Sequence, residues 1–166
     1  EKEEWFKNTI FVIVADHCAS SAGKTELPMD KYKIPAMIYT PDIHPQKIDK
    51  LVSQIDLMPT VLGLLNFNYQ SKFLGEDVFS PHYQERAYIA TYQDLGYIRN
   101  NTLTIISPMR KVKQYLLETS AEQPSKENPI FFNEKQKKDI DKNLEKETIS
   151  AYQSASYWIQ KKMLNR

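Results

Sequence analysis

The segment Ile10-Phe11-Val12-Ile13-Val14-Ala15 is apolar and largely β-branched, and it runs straight into Asp16-His17. A strand apolar at successive positions, rather than at alternate ones, is the pattern of a parallel sheet covered on both faces by helices. That one run predicts an α/β chain. It also predicts where chemistry would sit, because open α/β sheets place their ligands at the carboxyl ends of strands. Here that end carries a carboxylate and an imidazole side by side.

The rest of the chain supports one core. Lys33 to Thr40 reads as a second strand stopped by Pro41 and Asp42. Asp56 to Leu65 reads as a helix capped by Ser53 or Asp56, with Pro59 in the first turn, where its missing N–H costs little, and Asn66 at its end. Residues 86–92, 96–99 and 102–107 read as short strands, joined by turns at Asp94–Gly96 and Asn100-Asn101, with a further strand over Lys113–Glu118. Thr119–Asn128 is polar and reads as a loop. Ile140, Leu144, Thr148, Ala151, Ala155, Trp158 and Ile159 then recur mostly at spacings of three and four, which predicts one long amphipathic helix or two shorter ones. The expected organisation is an α/β part over 1–79, an antiparallel β unit over 80–118, and a polar loop with a C-terminal helix over 119–166.

Composition narrows the function classes. The 166 residues carry 22 Lys plus Arg against 21 Asp plus Glu, a net charge of +1, so no global field draws the chain to nucleic acid. The longest apolar run is far short of the roughly 20 residues that cross a bilayer, so no membrane contact is expected of this segment. Cys18 is the only cysteine, which excludes an internal disulfide and a zinc site made of cysteines alone.

Asp16 and His17 are both competent ligands for a divalent metal. Two ligands do not make a site, and an Asp-His pair in a loop is more often a hydrogen-bonded turn. Lys24 could pair with an anionic oxygen, although an exposed loop lysine is the blander reading. Gly23-Lys24-Thr25 lacks the earlier glycine of a phosphate-binding loop. His44 and His82 sit in proline-bounded loops without metal-site spacing, Cys18 reads as a small filler beside the pair, and Asp56 is accounted for by capping.

Four segments in order, Phe11–His17, Lys33–Tyr39, Val52–Leu62 and Leu74-Gly75-Glu76-Asp77, resemble the C-terminal part of the sulfatase and phosphoglycerol-transferase branch of the alkaline phosphatase superfamily. The Asp-His pair makes the likeness strongest to bacterial lipoteichoic-acid-synthase-like proteins. Thr91–Tyr97 and Ala151–Tyr157 resemble late segments of the same family. The resemblance implies the late part of a mostly parallel alkaline-phosphatase-like sheet, then a small antiparallel meander and a C-terminal amphipathic helix. It implies an enzyme acting on sulfate or phosphate esters through a metal-activated nucleophile, with Asp16 and His17 as metal ligands and Lys24 as a substrate contact. The metal would be Mn²⁺, Mg²⁺, Zn²⁺ or Ca²⁺. The family's nucleophile lies well upstream of the pair, so the expectation is a fragment that is inactive alone and completed by the N-terminal part of the same enzyme. By the same resemblance, the parent is membrane-anchored and extracytoplasmic. The rival reading is a non-catalytic binding or scaffold module built on that fold.

Overall fold

The computed structural model describes residues 2–17, 27, 29, 32–41, 43–119 and 132–163. A short 3-10 turn at Glu4–Asn8 leads into β1 (Phe11–Val14), which pairs with β2 (Ala36–Tyr39). The pairing is antiparallel, with Phe11 opposite Tyr39 and Val14 opposite Ala36. This corrects the expected parallel arrangement for these two strands: an all-apolar strand reports burial on two faces and carries no information about the direction of its neighbour. Cover on both faces is not found either, since Ile13 is 54% and Met37 53% exposed. Trp5, Phe6, Phe11 and Tyr39 form an aromatic cluster at one end of the pair, with ring centroids 5.4–6.4 Å apart.

A 3-10 turn at Gln54–Asp56 runs directly into α1 (Leu57–Leu64). Asp56 accepts from the Ser53 amide at 3.0 Å, the reach-back half of a capping box. Asn66 takes a left-handed conformation at the far end, φ 53°, as a helix stop requires.

The larger sheet is an antiparallel meander of β3 (Ala87–Ala90), β4 (Leu95–Arg99), β5 (Thr102–Ser107), β6 (Lys111–Thr119) and β7 (Phe132–Gln136), in sequence order. Asn100 and Asn101 both sit at positive φ (49° and 54°), the geometry of a two-residue hairpin turn. β7 was not foreseen, and the sheet therefore continues past residue 118. The expected loop over 119–128 lies almost wholly outside the described residues.

Alternation divides the meander's faces. Ala87, Ile89, Ile98, Leu103, Ile105 and Leu117 make an apolar core, joined by Leu27 and Met29 from the segment that follows Asp16-His17. The opposite face carries Tyr88, Tyr97, Thr104 and Gln114 and receives α2 (Lys142–Gln160). Asp141 caps this helix by accepting from the Asn143 and Leu144 amides. Gln114 is fully buried and clamps the cap: its Nε2 donates to the Asp141 carbonyl at 3.0 Å, and its Oε1 accepts from the Asp141 amide at 2.7 Å. About three turns further on, the Tyr152 hydroxyl donates to the carbonyls of Ile89 and Gly96. The single long helix, the meander and the α/β class agree with the expectation from sequence. None of the helices is long and apolar enough to cross a membrane, among the described residues.

Candidate active site

Asp16 and His17 sit where β1 ends, as the sequence pattern requires. β1 pairing continues one residue beyond the strand, with the Ala15 amide donating to the Pro35 carbonyl at 3.2 Å. The chain then bends. Asp16 Oδ1 accepts from the His17 amide at 2.9 Å, which orients the carboxylate toward its neighbour. The imidazole Nε2 lies 3.6 Å from Asp16 Oδ2, and both side chains are largely exposed. A carboxylate and an imidazole held this close, with solvent access, present one anionic oxygen donor and one nitrogen donor, a set that suits a divalent cation. Among the described residues, no three His, Cys, Asp or Glu side chains gather into a cluster, so the pair is a partial ligand set. Lys24 and Cys18 lie outside the described residues. His44 and His82 are exposed in separate loops.

The start of α1 carries a buried electrostatic hub that sequence reading reached only in part. Asp56 is fully buried, and its carboxylate accepts from five donors: the Ser53 and Glu76 amides, the Tyr83 hydroxyl, and Nη1 and Nη2 of Arg86. The Arg86 Nη2 to Asp56 Oδ1 distance is 3.0 Å, and the arginine side chain is 6% exposed. Burial works against the guanidinium charge, but Asp56 and Glu76 hold its pKa above the ordinary value. Burial, reinforced by the Asp56 carboxylate, drives the Tyr83 hydroxyl well above the usual tyrosine range. Capping thus describes only part of what Asp56 does; it also ties the start of α1 to the start of β3. The available signal for Arg86 was a charged residue set immediately before the apolar run Ala87–Ala90.

The segment Leu74–Asp77 closes over this hub. A Cβ on Gly75 would fall on the Ile55 carbonyl, so only glycine allows the loop to pass and lets Glu76 donate to Asp56. Elsewhere, an open groove of about 400 Å³ is lined by Leu51, Gln84, Glu85, Arg99, Asn100 and Asn101. Neither Asp16 nor His17 is among the described residues that line it.

Residues 1–67 match the family model described as Sulfatase. Over 98% of its length the chain also superposes on a solved protein of the alkaline phosphatase superfamily from Vibrio parahaemolyticus, with a TM-score of 0.79 and 27% identity. The chain is thus similar to sulfatase-like proteins over residues 1–67, and its fold is similar to that of the alkaline phosphatase superfamily. It spans only 38% of that solved chain. The sulfatase match takes in β1, the Asp16-His17 turn, β2 and α1, the elements that build the candidate site. Members of this superfamily generally depend on divalent metals.

Proposed function

We propose that this chain is the late portion of a metal-dependent hydrolase or transferase of sulfuric or phosphoric esters, with Asp16 and His17 as two of its metal ligands. The observation that carries the reading is the Asp-His turn at the end of β1, inside the segment that matches the sulfatase model. In this role the Asp16 carboxylate contributes negative charge to the metal site, with one oxygen oriented by the His17 amide. His17 contributes a neutral ring nitrogen. Lys24 pairs with an anionic oxygen of the ester, as an ammonium does with sulfate or phosphate. The bound metal would activate a nucleophile and neutralise charge on the ester oxygens. The nucleophile and the remaining ligands come from the N-terminal part of the same enzyme, consistent with a chain that spans 38% of its solved relative. The substrate is a sulfate or phosphate ester, and the parent is anchored in the membrane with its catalytic part outside the cytoplasm. Both statements follow the family resemblance.

The test is hydrolysis of chromogenic aryl sulfate and aryl phosphate esters by the intact native protein, with and without a chelator. The expected result is release of phenol from one ester class that stops on chelation and is lost in Asp16→Ala. Turnover insensitive to both the chelator and Asp16→Ala would contradict the proposal.

A further inference from the structure

The Asp16-His17 pair is exposed and leaves the sheet at a strand end, so something other than burial must hold it in place. The Ala15 amide is fixed by the Pro35 carbonyl. The Ala15 carbonyl is fixed from the other side, by the Gln54 side chain, whose Nε2 donates to it at 3.3 Å. That carbonyl shares a rigid peptide plane with the Asp16 amide, so fixing its direction fixes how the backbone enters Asp16. Gln54 opens the 3-10 turn Gln54–Asp56, and Asp56, two residues on, is the fully buried acceptor of the Arg86 guanidinium. The sequence separation is 39 residues, yet a single side chain connects the anchored start of α1 to the residue before the pair.

We propose that Gln54 is a positioning residue for the Asp16-His17 pair, transmitting the rigidity of the buried Asp56–Arg86 hub to the backbone that presents the two ligands. The inference rests on the reading of Asp16 and His17 as metal ligands. Gln54 itself is exposed and makes no contact with the Asp16 or His17 side chains among the bonds described, so its effect is on presentation and not on the donor set. Outer contacts made directly to metal ligands typically change metal affinity by about 10–100-fold, and Gln54 acts one step further out, on the backbone that precedes them. A neutral bond in solvent belongs at the low end.

The experiment is titration of the intact native protein with Mn²⁺ alone, comparing wild type, Gln54→Leu, Gln54→Ala and Asp16→Ala, with thermal melts of each apo protein alongside. The expected result is an affinity loss of about tenfold in both Gln54 variants, at an unchanged melting temperature, and a larger loss in Asp16→Ala. A purely structural role for Gln54 would move the melting temperature and leave the affinity of the folded fraction alone, and that result overturns the inference. Wild-type affinity in both Gln54 variants, with loss in Asp16→Ala, overturns the inference and leaves the proposed function standing. No dependence on Asp16 overturns both.

Discussion

Replacing Arg86 by methionine removes the cation from the Asp56 hub while keeping an unbranched apolar side chain of similar reach. Asp56 would keep the Ser53 and Glu76 amides and the Tyr83 hydroxyl, but it would lose both guanidinium bonds, at 3.3 and 3.0 Å, and the only cation within ion-pair distance of it among the described residues. Because Asp56 is fully buried, the orphaned charge has no water to turn to. Breaking a buried pair from one side costs about 3–5 kcal/mol. An exposed pair costs about 0–1 kcal/mol. Glu76, 3.6 Å from Arg86 Nη2 and half-exposed, adds little. We therefore expect Arg86→Met to destabilise by about 4 kcal/mol, a fall of roughly 8–16 °C in melting temperature for a chain of this size. Urea denaturation followed by circular dichroism measures it, and a double-mutant cycle with Asp56→Asn separates the pair from the packing. The double variant should be less destabilised than the sum of the singles, since neutralising Asp56 removes the reason the loss of Arg86 is costly. A cost below about 1 kcal/mol for Arg86→Met would place the pair with surface ion pairs and refute the reasoning.

Gly75→Ala forces a Cβ onto the Ile55 carbonyl and should cost about 3 kcal/mol or more through backbone displacement; the change in urea midpoint reports it. Gln114→Leu leaves the amide and carbonyl of Asp141 without their buried partner and should cost about 2–4 kcal/mol, with hydrogen exchange quickening first in the initial turn of α2. At alkaline pH, Tyr83 and Tyr152 have pKa values raised by burial above the ordinary 10.0. Both states hold the phenolic proton below pH 10, so the stability is fully present there. Above it, the unfolded phenols ionise first and stability declines as pH rises. Melting temperatures across this window should fall less steeply in Tyr83→Phe than in wild type; equal slopes would remove Tyr83 from the account.

What was legible in the sequence follows the local chemistry. The Asn100-Asn101 turn, the cap at the start of α1, the stop at Asn66 and the three-to-four spacing of the C-terminal helix all depend on a few neighbouring residues, and all of them appear in the fold. Ile140 lies before that helix rather than in it, because Asp141 takes the cap. β7 escaped notice because Phe132-Asn133-Glu134-Lys135-Gln136 has no β-branched residue and no alternation; its place is set by pairing with β6 and by Glu134 accepting from the Met29 amide. The antiparallel β1–β2 register was hidden for a similar reason: pairing direction is a tertiary property. Asp16 and His17 stand out as candidates through their place after an apolar strand, whereas the contacts of Arg86 and Gln54 lie 30 and 39 residues away in sequence, which no local pattern encodes.

The central claim is that Asp16 and His17 hold a divalent metal in the intact enzyme. The most direct measurement is the metal content of the purified native protein and of its Asp16→Ala and His17→Ala variants after dialysis against Mn²⁺ and Zn²⁺. The account predicts that wild type retains metal and that each variant retains markedly less at an unchanged fold. Equal retention in all three proteins would contradict it.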